Sequence, residues 1–426
     1  VSFSLEVVRE DLVRRAGARW EIYAKHAAAS ELRVVAAARE ESERREEGYA
    51  ARWEDGGRTL FAAASSPRLL VEAIGETASL RAGEAGPFPP LPAGEHPQPD
   101  VSEAPALPDA FEEVAQLLAS ESKGQARLTS LFVSRGHIVE RLENGSGFSG
   151  GRQRQFGYGN ARAVGIASDR RVTADVVFPV DDAHLEGSRI AQALSDRALL
   201  PLKGRACPFP RGELLLDPSV SAAMLSETLP LFCGDRHRNL LSRRYLDRTG
   251  RFGAPVLSLI DDPRGEGVFD AEGTPTRRKE VVAEGTFRAR LHDLSSAARA
   301  GEAPTGNAQR SSFRLPPNPG SALFVLEGAR PSSAGELLGS VTRGLYATAL
   351  SAPPRVDLEN DSYRLEVEGW ALQGGRARSP VASAVIRGRL TDFWRSVAGV
   401  GTDRRVFPLQ SIVAAPTLFL SKATFA

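Results

Sequence analysis

Residues 212–235 read GELLLDPSVSAAMLSETLPLFCGD. The opening run, Gly212–Leu216, has the composition of a buried strand. Asp217 is a strong N-cap residue, and Pro218 occupies the first helical position, where its missing N–H costs nothing. The helix that follows should carry an apolar stripe of Ala222, Leu225, Leu229 and Phe232. Pro230 should end or kink it. One carboxylate, Glu227, lies on this helix. Ser226 precedes it and Leu231 lies four positions after it; histidines at both places would make this a zinc-holding peptidase helix.

The 426 residues around this stretch exceed one ordinary hydrophobic core, so two or three domains are expected. Apolar residues make up 42% and charged residues 25%, the balance of a globular chain. The net charge of +1 offers no broad basic surface for nucleic acid or lipid. Apolar runs fall short of the roughly 20 residues of a membrane span. The first 15 residues read as a mixed-charge helix rather than a leader peptide. A cytoplasmic location is the expectation. Cys207 and Cys233 are the only cysteines, which excludes a four-cysteine zinc site and makes a disulfide framework unlike this chain. None of the six histidines lies three or four positions from another, so no single helix can supply a histidine pair. Abundant Arg and Ala with few Lys suggest a GC-rich bacterial genome.

Leu5–Gly17 predicts a helix with Leu5, Val8, Leu12 and Val13 on its apolar side. Four strand candidates follow: WEIYAKHAA, ELRVVAAARE, EEGYAARWED and GRTLFAAAS, with Asp55-Gly56-Gly57 as a hairpin turn. Ser66-Pro67 opens a second helix. Residues 83–108 hold eight prolines and read as a solvated excursion. A helix resumes after Asp109, then long strands through residue 180. Within them Gly157-Tyr158-Gly159 lacks the third glycine and following helix of a phosphate loop. A helix ending near 205 closes the first half. The second half is mostly β, with a hairpin turning at Glu284-Gly285, a capping box from Ser333 to Glu336, and a helix at 391–397. The expected class is α+β, with an N-terminal domain at 1–205 and a β-rich C-terminal domain at 206–426.

Several short segments, taken in order, resemble the TldD/PmbA (TldD/TldE) family of metallopeptidase-related proteins, once described as modulators of DNA gyrase. They are GELLLDPSVSAAMLSETL (212–229), PVLSLIDDP (255–263), FDAEGTPTRRKEVVAEGTFRARLHD (269–293), PTGNAQR (304–310), VTRGLYATAL (341–350), GWALQGGRARSPV with ASAVIRGRLTDFW (369–394), and APTLFL (415–420). Together they span about half the chain. The resemblance implies a two-domain fold with a central helix carrying the active site, and a heterodimer. One subunit, the TldD type, holds zinc through an HExxxH helix and a later Cys, with the Glu as general base. The TldE/PmbA type shares the fold and lacks the ligands. The HExxxH window falls on Ser226 to Leu231: Glu227 is kept, while Ser226 and Leu231 replace the histidines. The segment DRRVFPLQSIVAAPTLFL (403–420), where the thiolate is implied, has no Cys. The resemblance is therefore to a TldE/PmbA-type subunit that binds no cofactor itself. Zinc is expected in a TldD-type partner, and an unfolded peptide is the expected substrate.

Each candidate residue has two readings. Glu227 is either an interior carboxylate paired with an Arg or a retained base. Ser226 has no nucleophile-elbow context and no inferable base. Cys233 and His237 are either metal ligands or a thiol–imidazole pair, or a buried thiol beside a surface His. His184 and His292 read as structural, and Asp261-Asp262 as turn chemistry. Thr305, Gly306, Asn307 and Arg310 are either simple turn structure or a turn whose amide, hydroxyl and guanidinium groups contact substrate or a partner; the resemblance puts this loop at the border of a peptide cleft. The alternatives to a pseudo-subunit are a diverged standalone hydrolase or biosynthetic enzyme, and a homodimeric interaction or regulatory protein.

Overall fold

The computed structural model describes residues 5–36, 38–80, 83–85, 88–100, 105–107, 110–180, 185–236, 246, 250–264 and 267–425. It is a mixed α+β fold built on three main sheets.

The first sheet is eight-stranded, and its middle is three very long strands, Trp20–Val35, Ala126–Asn144 and Phe148–Ala167, with Ala38–Asp55 alongside. The sequence suggests two strands between Trp20 and Glu40, but the structure has one of 16 residues. Ala29-Ser30-Glu31 holds no breaker, and the reversal comes at Ala36, whose φ is 47°. An alanine run gives no warning of that turn. The Asp55-Gly56-Gly57 turn forms as expected, with Asp55 paired to Arg58 and both glycines at positive φ.

Strand alternation decides what each sheet face meets. Trp20, Ile22 and Ala24 point into a core closed by the helices Glu6–Ala16 and Pro67–Leu80. Further along the same face, Leu32, Val34, Leu131 and Val133 meet the helices Phe111–Glu121 and Gly187–Lys203. The alternate residues, Glu21 and Tyr23, face the second half of the chain. Among its described residues the proline-rich excursion contributes two short strands to this sheet, Gly83–Ala85 and Gly94–Glu95.

The second half holds a seven-stranded and a six-stranded sheet. The strand Arg211–Leu216 pairs in parallel with Arg343–Asp357 in the former. The hairpin at Glu284-Gly285 joins Lys279–Ala283 to Thr286–Phe287 in the latter. The helix Pro218–Thr228 lies between the two sheets, against Arg343–Asp357 on one side and Ile412–Ala415 on the other. Among the described residues no helix is long and apolar enough to cross a membrane.

Candidate functional site

The helix Pro218–Thr228 starts as its sequence dictates. The Asp217 carboxylate accepts the Ser219 N–H at 2.9 Å, and Pro218 takes the first helical position. Pro230 cannot supply an N–H to continue the ladder, and the chain tightens into the 3-10 turn Leu229–Phe232. The expected single stripe is exceeded: Val220 through Ser226 and Thr228 are all buried. The helix is held between two sheets, so even its polar residues Ser221, Ser226 and Thr228 are buried.

Glu227 is the exception. It is half-exposed while both its neighbours are buried. Burial raises its pKa, and no charged neighbour contributes. The expected Arg pairing is absent: among the described residues Glu227 has neither a hydrogen bond nor an ion pair. It opens into a depression of about 620 Å³ lined also by Arg355, Asp357, Tyr363, Arg364 and Arg387.

The positions flanking Glu227 do not fit zinc. Ser226 is 8% exposed and is a poor ligand. Leu231 is 1% exposed within the main hydrophobic cluster. Its place could not be taken by an imidazole aimed at Glu227 without emptying that core position. Thr228 donates to the Met224 carbonyl at 2.7 Å, and the Trp394 indole N–H donates to Thr228 at 3.3 Å. These bonds fix the C-terminal end of the helix as core. Among the described residues, no three His, Cys, Asp or Glu side chains are grouped to hold a metal.

Cys233 is buried, with its Sγ 3.7 Å from the Leu229 carbonyl. His237 and His184 lie outside the described residues. The His292 ring is fully buried, with Nδ1 3.1 Å from Ser296 Oγ, and burial lowers its pKa. Gly234 is required beside it, since a Cβ there would lie 2.2 Å from the ring. Gly157 and Gly159 sit within a strand, where a Cβ on Gly157 would meet the Val180 carbonyl at 2.0 Å. Close strand packing accounts for them.

The loop Thr305–Arg310 turns inward. Gly306 adopts φ 71°, and a Cβ there would lie 2.4 Å from the Pro275 carbonyl. Asn307 is 1% exposed and donates to Asp261 Oδ2 at 2.9 Å and to the Gly320 carbonyl at 2.8 Å. Thr305 donates to Asn307 Oδ1 at 2.8 Å. Asp261 also accepts from Lys279 and Ser321, and Asp262 pairs with Arg264, so this acidic pair is engaged within the chain. Arg310 is buried, ion-paired to Glu21 and stacked 4.4 Å over the Tyr23 ring.

Arg310 thus belongs to a buried ionic network that joins the first sheet to the second half. Arg52 lies 3.0 Å from Glu21 and 2.7 Å from Glu272. Burial and the nearby Glu21, Asp293 and Asp270 carboxylates raise the Glu272 pKa, against the pull of Arg52. Beside it, Tyr23 donates to Glu140, which Arg152 and Arg154 flank at 2.7 and 3.2 Å. Burial opposes ionisation of Glu140, but these two guanidinium groups and the Tyr23 hydrogen bond hold its pKa well below the usual range. Arg152 reaches across to the Phe269 carbonyl at 3.2 Å. Composition and motif spacing did not reveal this network. A usable signal was present: Glu21 and Arg52 are charges set between Trp20 and Ile22, and between Ala51 and Trp53, in otherwise apolar strands.

Residues 211–426 match the family model described as the PmbA/TldA metallopeptidase C-terminal domain. The chain belongs to this family. A metalloprotease of Methanocaldococcus jannaschii is 25% identical over 224 residues, 50% of this chain and 48% of that protein. Metalloprotease PmbA of Escherichia coli O157:H7 is 28% identical over 136 residues, 32% of this chain and 27% of that protein. The chain thus spans about half or less of the length of the curated relatives it matches. In fold it is similar to TldE from Thermococcus kodakarensis, with a TM-score of 0.85 at 18% identity over 100% of both chains. It is also similar to a protein described as a modulator of a DNA gyrase from Thermotoga maritima, with a TM-score of 0.79 at 17% identity over 99% of each.

Proposed function

We propose that this chain is a TldE/PmbA-type subunit that holds no zinc and pairs with a TldD-type zinc metallopeptidase to form a cleft for unfolded peptides. The observation that carries this reading is the helix Pro218–Thr228. It keeps the family's framework and Glu227, with Ser226 and a core Leu231 at the two histidine positions. A general base acts on a metal-bound water or a nucleophile. Among the described residues no group of His, Cys, Asp and Glu side chains that could hold a metal lies beside Glu227. On this reading the partner supplies metal and base, and this chain supplies part of the wall against which an extended peptide lies. The fold likeness to a TldE agrees with the assignment, and the family membership with peptide chemistry.

The test is to purify the chain alone and with a TldD-type subunit, then measure native mass and cleavage of an unfolded peptide. The expected result is no cleavage by the chain alone, a mixed complex, and cleavage only in that complex. Cleavage by the chain alone would overturn the reading and favour a standalone hydrolase. A stable homodimer that ignores the TldD-type subunit would favour an interaction protein.

A further inference from the structure

Three adjacent strands of the seven-stranded sheet carry an arginine at the same level. Arg355 lies directly opposite Arg364, and Arg364 lies directly opposite Arg387. Directly opposed residues on neighbouring strands have Cα atoms about 5 Å apart, and like charges there are destabilising. Arg364 has a partner in Glu366 at 3.0 Å. Among the described residues Arg355 and Arg387 have no ion-pair or hydrogen-bond partner. The row therefore lacks counter-charges for two of its three members.

All three arginines line the depression into which Glu227 opens. A second depression, of about 850 Å³, shares Tyr363, Arg387 and Gly388 with the first and extends to Arg211, Arg343 and Lys422. Together the two are lined by seven cationic side chains against four carboxylates, and two of the seven, Arg364 and Arg389, are paired to Glu366 and Asp361 beside the lining, which leaves five cations against the four carboxylates in a chain whose net charge is only +1. Positive charge is thus concentrated in one trough, where it raises the local concentration of an anionic ligand.

We propose that the trough from Glu227 across Arg355, Arg364 and Arg387 binds an acidic segment of extended polypeptide. Planar guanidinium groups suit carboxylates, each able to accept a bidentate pair. Glu227 separates a polypeptide from a nucleic acid as the occupant. Its carboxylate is half-exposed and has no partner among the described residues, so it can accept a peptide backbone N–H, whereas a phosphodiester strand brings more negative charge beside it. This deepens the reading above, on which it rests for the peptide nature of the ligand. It adds that acidic side chains select the segment and that this chain binds them without its partner.

The test uses the full chain alone at low ionic strength. Binding of a fluorescent 12-residue peptide of alternating Glu and Gly is compared by anisotropy with its Gln–Gly counterpart and with an oligothymidine of equal charge. The expected result is at least tenfold tighter binding of the Glu peptide than of either other ligand. The Arg355→Gln and Arg387→Gln variants should each lose most of that preference. Arg387→Glu, which turns a like-charge pair with Arg364 into an opposite one, should keep the fold with an equal or higher Tm and abolish Glu-peptide binding. Equal binding of the Glu and Gln peptides, or no effect of the Gln variants, would overturn the proposal. Tighter binding of the oligothymidine would replace it with a nucleic-acid surface. Arginine-dependent peptide binding without pairing to a TldD-type subunit would sustain this inference and defeat the pairing reading; pairing without peptide binding would do the reverse.

Discussion

Two polar regions of this molecule differ in how their charges are partnered. At the junction between the first sheet and the second half, Glu21, Arg52, Glu272 and Arg310 are almost fully buried and bonded to one another. Around Glu227, itself half-exposed, Arg355 and Arg387 are exposed, and these two arginines and the carboxylate have no partner among the described residues. Buried ions must find partners because desolvation is otherwise too costly. Such a network fixes how the first sheet meets the second half, and its ion pairs are made within the chain. Open charges facing a depression remain available to bind a ligand. The loop Thr305–Arg310 invites a substrate role by its composition, but its Asn307 and Arg310 side chains lie in the first kind of region. Glu227 looks like the remnant of a lost site, yet it lies in the second.

Removing a member of each region should separate them sharply. Arg52→Ala leaves Glu272 uncompensated and Glu21 with Arg310 alone, and denaturant unfolding should show a loss of about 3–5 kcal/mol. Gly306→Ala forces a Cβ toward the Pro275 carbonyl at a positive φ; the expected loss is about 1–3 kcal/mol in the same measurement. Glu368 gives a pH signature. Burial raises its pKa to about 7, against the lowering influence of Arg197 and of a hydrogen bond from Ser351. In the unfolded chain it titrates near the ordinary carboxylate range, so between about pH 5 and 7 the folded state binds more protons than the unfolded state. Its contribution to stability therefore falls as pH rises through that window. Glu368→Gln should leave stability at pH 5 nearly unchanged and raise it by roughly 2–3 kcal/mol at pH 8, read by thermal or urea unfolding. Glu227→Gln removes no ion pair, and its effect on unfolding should stay within about 0.5 kcal/mol. A loss at Glu227 as large as that at Arg52 would erase the distinction between the regions.

Much of the fold is legible in the sequence because the signals are local. The Asp217-Pro218 cap, the break at Pro230, the Asp55-Gly56-Gly57 turn and the Ser333–Glu336 capping box each depend on a few adjacent residues, and each forms as expected. The reversal at Ala36 is not legible, since alanine carries no turn preference. Burial of the helix Pro218–Thr228 on every side depends on two sheets whose strands are distant in sequence. The ionic network is non-local for the same reason: Glu21 and Arg310 are 289 positions apart. The arginine row is likewise visible only once strand register is known. The replacement of both histidines beside Glu227, by contrast, is readable from one helix and its likeness to a family.

The most direct measurement is zinc per chain, by elemental analysis, on protein purified alone and again in complex with a TldD-type subunit. The account predicts no zinc bound by this chain alone and one zinc per mixed pair. One zinc per chain in the isolated protein would contradict it, because this chain would then hold the metal without histidines at 226 and 231.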